Sequence, residues 1–538
     1  MKRHAAVARL LRGGVLSLAS SPISRRPGES SRAQASSGEK SRRILLAALC
    51  AVFLLVSGSA AGFPQQAPTP DSTSNPAPQL PRHPLPHPRG PSQIPADLLI
   101  TGGTVVTMDP DRRILEDGAV AVRGSVILAV GPREKLEALY PAPHHMDARG
   151  RLVLPGLVNS HTHAAMSLLR GLANDVTLED WLTNHIFPAE KRNVTEDFCV
   201  WGTRLAALEM IEAGITTFAD MYYYEDAVAR ETKAAGMRGV LGESVIDFPA
   251  PDSRSPDQTF AQIEQFLERW HADPLIRPAV APHLPYTCSA DTLRRAAALA
   301  RRYHAPLLIH VAETRHELDE SLQKKHLSPV AWLDSIGFLG PEVTAAHCVW
   351  VDDADIRLLA ARGVGCVHNP SSNMMLASGV APIPALLAAG VRLGLGTDGP
   401  AGSNNDLDMM QEMDLAAKLQ KVARLDPRAL TASQALEMAT LGGARALHLE
   451  DQIGSLEPGK QADIILLRLD APHAVPAYDV PGQIVYALKA SDVDTVIIAG
   501  RVVMEGRRVL TLDPPSIFAK AREYAQKVRE SLAPPVPR

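Results

Sequence analysis

Residues 154–163 constrain the fold more than any other stretch, because an apolar run there ends in His161 and His163. In a β-strand, residues i and i+2 project from the same face, so both imidazoles can bind one metal ion. Taken alone, a His-x-His pair indicates an ordinary surface loop more often than a metal site. Features elsewhere in the chain decide between these two interpretations.

Polar residues follow three further apolar runs, at points where short strands are expected to end. They are His310, with Glu313 in the loop after it, His347 and Asp398. Continuous apolar runs of this length are typical of strands buried on both faces, in parallel sheets that are covered by helices. The carboxyl ends of such strands meet at one rim, where α/β barrels place their active sites. The pattern therefore predicts that these side chains converge.

Helices are expected between the strands. In residues 196–213 the apolar positions recur at helical spacing, with Thr195 as the N-cap and Gly214 in the position of a C-terminal glycine. Residues 290–303 are amphipathic in the same way. This alternation of strands and helices predicts an α/β fold, a metal-dependent (β/α)8 TIM-like barrel, over residues 154–452.

The segments on either side of the predicted barrel have a different pattern. Residues 96–153 and 453–512 contain short β-rich runs separated by turn residues, as strands of an antiparallel sheet do. Neither segment is long enough to bury a core comfortably alone. We therefore expect the N- and C-terminal segments to form one small composite β-sandwich, followed by a C-terminal helix and tail over residues 513–538.

Residues 1–61 have the parts of a signal peptide. A basic region that includes Arg42 and Arg43 precedes the apolar residues 44–56, which are too few to cross a bilayer easily, and an alanine-rich stretch follows. The paired arginines resemble a twin-arginine signal. Residues 62–95 are rich in proline and are predicted to be a linker. We expect export to the periplasm or the extracellular space, with only transient membrane contact through the signal segment.

The leader also has an alternative interpretation. The region before Ser41 is longer than is typical of signal peptides. A start codon placed too far upstream would add such a region to the chain. The protein would then be cytoplasmic. The next methionine after Met1 is Met108, at the first predicted sheet strand, so a simple internal ATG start cannot remove the leader.

Composition narrows the class of partner. The formal net charge is -4 over 538 residues and no basic stripe is present, so we do not expect a nucleic-acid partner. Aromatic residues make up 4% of the chain, too few to suggest a stacking platform for bases. A small heterocyclic substrate is the better expectation, and the sequence leaves open whether the chain forms a homo-oligomer.

From about residue 96 to residue 508, the chain resembles the amidohydrolase superfamily. Within it, the resemblance is to the group that contains the 5-methylthioadenosine/S-adenosylhomocysteine deaminases and the s-triazine hydrolases. Its specific marks are residues 155–171 around the two histidines, Trp181, Glu190, the pair Pro282-His283, residues 310–313, the pair His347-Cys348, residues 368–373 and residues 396–399. One such motif could arise by chance, but the ordered set hardly could. The family fold is a metal-containing barrel with a composite sandwich.

Residue chemistry suggests which side chains hold the metal. Imidazole and carboxylate satisfy zinc, and a hydrolytic site keeps one coordination position open for water. We expect His161, His163, His310 and Asp398 to bind one divalent ion, zinc first and iron as the alternative. Residues 277–282 contain no lysine that could be carbamylated to bridge two metals, which favours a mononuclear site.

Three residues are expected to carry the catalytic steps. Glu313 is the candidate for proton transfer to the ring nitrogen and the leaving amine, since attack of hydroxide on an aromatic carbon needs an acid there. The less specific interpretation of Glu313 is a solvated loop carboxylate. Asp398 can take the proton from water. The resemblance implies that His347 holds the hydroxide by a hydrogen bond rather than as a firm ligand.

The resemblance also implies which residues bind the substrate. They are Trp181, Glu190, His283 and Glu313, with Glu190 binding the ribose hydroxyls of a nucleoside. A single tryptophan is usually explained by core packing and a single glutamate by surface exposure, but the spacing from His161 matches the nucleoside deaminases. Whether Arg254 contacts the substrate stays undecided, because its alignment with the family is uncertain.

The resemblance implies a metal-dependent hydrolytic deaminase of adenine nucleosides, in which an activated hydroxide attacks the ring carbon and ammonia is released. The alternative is a related amidohydrolase that acts on an s-triazine, guanine or another N-heterocycle, because the pocket loops decide the substrate. A non-catalytic assembly protein with this fold would be expected to have lost metal ligands. None of the expected ligands is missing from the sequence.

Overall fold

The computed structural model describes residues 93–533. The predicted signal peptide and nearly all of the predicted linker, up to residue 92, lie outside the described residues. No helix within residues 93–533 is long and apolar enough to cross a membrane.

Strands of two sheets and the helices between them make up the described part of the chain. The strands are β1 (Leu98–Val106), β2 (Ile114–Arg123), β3 (Val126–Pro132), β4 (His144–Asp147), β5 (Arg151–Pro155), β6 (Leu157–Thr162), β7 (Ile215–Tyr222), β8 (Arg238–Val245), β9 (Ile276–Pro282), β10 (Leu307–Val311), β11 (Val343–His347), β12 (Gly365–His368), β13 (Arg392–Leu395), β14 (Ile464–Arg468), β15 (Val493–Ile498), β16 (Arg501–Glu505) and β17 (Arg508–Val509).

The α-helices connect and cover these strands. They are α1 (Arg133–Leu139), α2 (Leu178–Asp180), α3 (Phe187–Asn193), α4 (Glu196–Glu212), α5 (Glu225–Ala235), α6 (Pro256–Trp270), α7 (Ala290–Tyr303), α8 (Arg315–Lys325), α9 (Pro329–Ser335), α10 (Asp353–Arg362), α11 (Pro370–Met375), α12 (Ile383–Ala388), α13 (Met409–Arg424), α14 (Ala432–Met438), α15 (Leu441–Ala446), α16 (Val480–Gly482) and α17 (Pro514–Leu532). A 3-10 helix follows β6 at Ala164–Leu169, and a π-helical turn at Trp181–Ile186 joins α2 to α3.

Strands β6 to β13 form an eight-stranded parallel sheet in which neighbours in sequence are neighbours in space. Strands β7 and β8 are buried at every position, as expected for strands covered on both faces. The first and last strands, β6 and β13, lie against each other, so the sheet curves into a nearly closed barrel. The predicted barrel fold is confirmed.

Local signals in the sequence account for the helices that were predicted. Helix α4 begins after Thr195, whose side chain accepts a hydrogen bond from the Phe198 N–H, and Gly214 after it has a positive φ of 81°. Helix α7 has the bounds that its amphipathic pattern predicts, with the Ser289 side chain as its N-cap.

The other nine strands form a mixed sheet that contains both flanking segments. Strands β5 and β14 pair antiparallel and join the N-terminal segment to the C-terminal one. Residues of both segments, among them Ile100, Val122, Val153, Ile464 and Leu466, enclose one buried apolar cluster. The composite arrangement is therefore confirmed.

Two details of the predicted organisation are wrong. Residues 154 and 155 belong to the composite sheet, and the chain enters the barrel only at Leu157, because the Gly156 N–H donates to the Asp463 carbonyl 2.9 Å away. Residues 472–474 and 480–487, predicted as part of the sheet segment, instead form helical turns. Ile484 and Val485 of these turns pack into the core of the barrel.

The C-terminal helix α17 is present as predicted. It packs against α3 and α4, and its buried residues are Ile517, Tyr524 and Val528. The Tyr524 hydroxyl donates to the Asp197 carboxylate at the beginning of α4.

Candidate active site

The candidate site begins at the end of β6, where His161 and His163 project from one face. Thr162 between them points the other way, and its hydroxyl lies 2.9 Å from Asp220 Oδ1 on the neighbouring strand β7. The same carboxylate oxygen accepts the Ala164 N–H at 2.7 Å. Asp220 therefore fixes the turn that follows the two histidines, although its side chain is not one of the predicted ligands.

Backbone hydrogen bonds determine which ring nitrogens of two histidines are free. His163 Nδ1 lies 2.7 Å from the Met221 carbonyl, and His310 Nδ1 lies 2.7 Å from the His283 carbonyl. A carbonyl can only accept, so each Nδ1 carries a proton, and in the neutral form of each ring Nε2 presents a lone pair. The two Nε2 atoms are 3.3 Å apart. Lone pairs this close repel each other unless a cation binds both, so the pair fits a metal site.

Asp398, in the loop after β13, completes this cluster. Its Oδ1 lies 3.3 Å from Nε2 of His161 and 3.3 Å from Nε2 of His163. Burial alone would raise the pKa of the Asp398 carboxyl, but hydrogen bonds with the two histidines hold it well below its usual range. The Ser372 hydroxyl donates to Oδ2 at 2.7 Å and fixes the carboxylate.

The two histidines that contact Asp398 have pKa shifts in opposite directions, although Asp398 favours the charged form of both. Burial lowers the pKa of His161 to about 4, in spite of the carboxylate. Burial also disfavours the charged form of His163, but the hydrogen bond and charge of Asp398 outweigh it and raise the pKa of His163 to about 9. The protein without metal can therefore hold a proton between His163 and Asp398, the place that a cation would take.

His347 lies next to the same cluster. Ligand atoms of His161, His347 and Asp398 all lie within 4.8 Å of one another, as do those of His161, His163 and His310. Among the described residues these are the two groups of this kind. The structure thus brings together the four predicted ligands and His347, with the nitrogen and oxygen donors that zinc prefers. All are buried except His163, whose side chain is 12% exposed.

Glu313 is a buried carboxyl and not a solvated one. It is 4% exposed, its Oε2 lies 3.7 Å from His347 Nε2, and its Oε1 has no hydrogen-bond partner among the described residues. Burial, and then the negative charge of Asp398, raise the pKa of Glu313 to about 8. A carboxyl of this kind is protonated at neutral pH and can donate a proton, as the proton-transfer prediction requires.

Glu190 lies on the wall beside the histidines. It is in α3, 4% exposed, and its Oε1 accepts a hydrogen bond of 2.8 Å from the Tyr222 hydroxyl. The Tyr222 ring lies 6.4 Å from the His163 ring. Burial raises the pKa of Glu190 to about 7, although the hydrogen bond from Tyr222 lowers this pKa. Its role in binding ribose stays a prediction.

Trp181 and His283 are also close to the cluster. The Trp181 indole N–H donates to the Ala401 carbonyl at 2.9 Å, in the loop that follows Asp398. The His283 ring lies 5.1 Å from the His310 ring, and burial lowers the pKa of His283 to about 3. That both residues contact the substrate stays a prediction. Arg254 is exposed, and its backbone N–H donates to the Gln258 side chain.

Several residues that support the site were not predicted from the sequence. Asp220 and Tyr222 stand at the end of an apolar strand, the same signal that identified His310. Ser372 and Asn373 fall in residues 368–373, which the resemblance marked without giving them a role, and Asn373 Oδ1 lies 3.1 Å from His347 Nδ1. The carbonyls of Met221 and His283 are backbone atoms, for which no side-chain pattern gives a signal.

Comparison with known proteins agrees with this geometry. The model of the amidohydrolase family matches residues 152–503, and that of a bacterial imidazolonepropionase-like composite domain matches residues 118–142. The 5-methylthioadenosine/S-adenosylhomocysteine deaminase of Syntrophobacter fumaroxidans is 50% identical over 434 residues, covering 81% of this chain and 99% of that protein.

Solved structures give the same result. An adenosine deaminase from Xanthomonas campestris with bound zinc has a TM-score of 0.80 and 40% identity, covering 82% of this chain and 100% of that one. An atrazine chlorohydrolase from Arthrobacter aurescens complexed with zinc has a TM-score of 0.74 and 27% identity, covering 80% and 100%. The chain belongs to the amidohydrolase family and is a hydrolase acting on carbon–nitrogen bonds other than peptide bonds.

Proposed function

We propose that this chain is a metal-dependent hydrolytic deaminase of adenine nucleosides of the 5-methylthioadenosine/S-adenosylhomocysteine type. The observation that carries the proposal is the buried, protonatable Glu313 beside the histidine and aspartate cluster, 3.7 Å from His347. Replacing a ring amino group by oxygen needs a proton donor at that place. The similarity to the Syntrophobacter deaminase supports an adenine nucleoside as the substrate.

His161, His163, His310 and Asp398 would hold one divalent ion, zinc in the first instance and iron as the alternative. Such an ion supplies Lewis acidity, which lowers the pKa of water towards neutrality. Strand β9 (Ile276–Pro282) contains no lysine that could bridge a second metal, which supports a single ion.

The side chains divide the proton transfers between them. Asp398 accepts a proton from the attacking water, and Glu313 delivers a proton to the ring nitrogen next to the attacked carbon. The carbon–nitrogen bond to the amino group then breaks. Glu313 takes over the proton held by Asp398 and passes it to the amino group, which leaves as ammonia. The new hydroxyl returns its proton to Glu313, so the ring retains a carbonyl oxygen and both side chains regain their starting states. His347 orients the water.

The alternative substrate class is an s-triazine, guanine or a related heterocycle. The 27% identity to the atrazine chlorohydrolase supports it, since the two chains share the fold. Glu190 favours the nucleoside, because a buried carboxylate beside the histidines offers an acceptor for ribose hydroxyls, which a triazine or free base lacks.

Ammonia release from 5-methylthioadenosine, S-adenosylhomocysteine, adenosine, guanine and s-triazines tests the proposal. The nucleosides should be the preferred substrates. Glu190→Ala should lower kcat/KM for them by about 10 to 150 fold, the range for a lost hydrogen bond to a charged group. Glu179→Ala, at an exposed position of α2, is the matched control. Good turnover of a triazine or guanine by wild type and Glu190→Ala alike, with the nucleosides ignored by both, would favour the alternative.

We also propose that the enzyme is exported, on the evidence of the sequence of residues 1–61. The mature chain should begin close to Gly62, and translocation should depend on Arg42 and Arg43. Mass spectrometry of the protein from its native host tests this. Intact residues 1–60 on a soluble cytoplasmic enzyme would refute it.

A further inference from the structure

We propose that Glu317, in the first turn of α8, is a positioning residue that holds the peptide turn carrying Glu313. This inference rests on the proposed proton-transfer role of Glu313. Within the described residues, Glu317 itself makes no hydrogen bond or ion pair with the histidine and aspartate cluster.

Glu317 binds two consecutive backbone amides. Its Oε1 accepts the Ala312 N–H at 2.9 Å, and its Oε2 accepts the Glu313 N–H at 2.8 Å. The side chain is 4% exposed, so water does not compete for these oxygens. Both carboxylate oxygens are therefore used on the turn that leaves β10.

The turn needs this support because its backbone is unusual. Ala312 has a φ of 52°, in the left-handed region that is strained for a residue with a Cβ. On the other side, the Ala312 carbonyl accepts the N–H groups of Val349 at 3.0 Å and Trp350 at 2.9 Å. These two residues follow His347 in the chain. The turn is thus held between α8 and the loop that leaves the His347 strand.

The carboxyl of Glu313 has little else to fix it. Its Oε1 lacks a partner in the described part of the chain, and the approach of Oε2 to His347 Nε2 is 3.7 Å, longer than a hydrogen bond. Its position therefore depends on the backbone that carries it. Misplacing a catalytic group by about 1 Å can cost about 100-fold in rate, so loosening the turn should affect turnover.

Glu317→Gln tests whether the two acceptor oxygens of Glu317 hold the turn, because it leaves the size of the side chain unchanged. Glu317→Gln keeps the size of the side chain but leaves one acceptor oxygen, and its NH2 group opposes one of the two amide N–H groups. Glu317→Asp keeps both acceptors on a side chain shorter by one methylene, and should retain more activity. Glu320→Gln is the matched control on the same helix, where Glu320 pairs with Lys324 at the surface.

The experiment measures kcat, KM and metal content of the metal-loaded enzyme with 5-methylthioadenosine, in wild-type and Glu313→Gln backgrounds. In wild type, Glu317→Gln should lower kcat by about 10 fold or more, with KM and metal content nearly unchanged. In the Glu313→Gln background the same change should lower the residual kcat little further, because the acid that it positions is already gone.

Equal losses from Glu317→Gln in both backgrounds, or a normal kcat in the wild-type background, would overturn the inference. If Glu317→Gln does not yield folded protein, Glu317→Asp is compared in the two backgrounds by the same criterion. Failure of the proposed function is distinguishable, because wild type would then not turn over 5-methylthioadenosine. Failure of the proton-transfer role is distinguishable as well, because Glu313→Gln alone would then retain full activity.

Discussion

Glu313 and Asp398 are both buried carboxyl groups, but their surroundings have opposite effects on their charge. Asp398 lies 3.3 Å from two imidazole nitrogens, which keep its pKa well below the usual range. Glu313 has no such partner, and its pKa is raised to about 8. Pairs of carboxyls whose environments separate their pKa values are how hydrolases assign base and acid roles. At the residue scale, this contrast is the basis for the proposed division of proton transfers.

Glu313→Gln should leave the metal content unchanged and lower kcat by about 100 fold or more, the usual scale for a positioned general acid or base. The amide has the shape of the acid but no proton to transfer. Asp319→Asn, at an exposed position of α8, should have normal kcat. Near-normal turnover of Glu313→Gln would assign the proton-transfer role to another residue.

The sequence reveals the residues of the site where strand periodicity or spacing marks them. His161 and His163 are two apart on a strand, and His310 and His347 end apolar runs, so their convergence was predictable. Asp220 and Tyr222 also stand at a strand end, but their roles depend on partners from distant parts of the chain and could not be predicted. Contacts with Glu190 and Thr162 appear only once the barrel has formed.

At the scale of elements, α13 (Met409–Arg424) shows how a covering helix supports the rim of the barrel. Its fully buried Glu412 accepts the Ser371 N–H at 3.1 Å and the Asn404 side-chain N–H at 3.1 Å. It therefore connects α11, which follows β12, with the loop after β13. Ser372, next in the chain, donates to Asp398. Burial raises the pKa of Glu412 from 4.5 to about 8.

This shift predicts a pH dependence of stability. Between pH 4.5 and about 8, the folded protein holds the Glu412 proton and the unfolded chain has lost it, so folding binds a proton. This contribution to the free energy of unfolding therefore falls as the pH rises through that window, by at most about 1.4 kcal/mol per pH unit. In Glu412→Gln, Tm should decline less steeply over the same window than in wild type. Glu530→Gln, exposed in α17, should keep the wild-type slope, and an unchanged slope in Glu412→Gln would contradict the account.

Elements with strong local signals were predictable, and those defined by tertiary contacts were not. Helix α4 has a capping threonine and a terminal glycine, and α7 has a clear amphipathic pattern. The apolar run through Gly156 gives no sign that one strand ends at Pro155 and another begins at Leu157. That division exists because β5 pairs with β14, far away in the sequence.

At the scale of the whole molecule, a buried ion pair connects the barrel to the composite sheet. Arg238, the first residue of β8, donates from Nε to Asp463 Oδ2 at 3.0 Å, and their side chains are 5% and 3% exposed. Asp463 Oδ1 also accepts the Ala499 N–H at 2.7 Å. The two parts should therefore unfold together.

Asp463→Ala should lower the free energy of unfolding by about 3 to 5 kcal/mol, because it leaves the Arg238 guanidinium buried without its partner. Unfolding in urea, followed by fluorescence and circular dichroism, measures the change. Arg133→Ala, which removes an exposed pair with Asp117, should change stability little. A small effect of Asp463→Ala would show that this ion pair does not couple the two parts.

Titration of the metal-stripped enzyme with zinc tests the central claim most directly, with ammonia release from 5-methylthioadenosine as the readout. Four clustered ligands, His161, His163, His310 and Asp398, predict that activity is absent without metal, rises linearly with added zinc and stops rising at one equivalent per chain. Full activity of the stripped enzyme, or a rise that continues to two equivalents, would contradict the account.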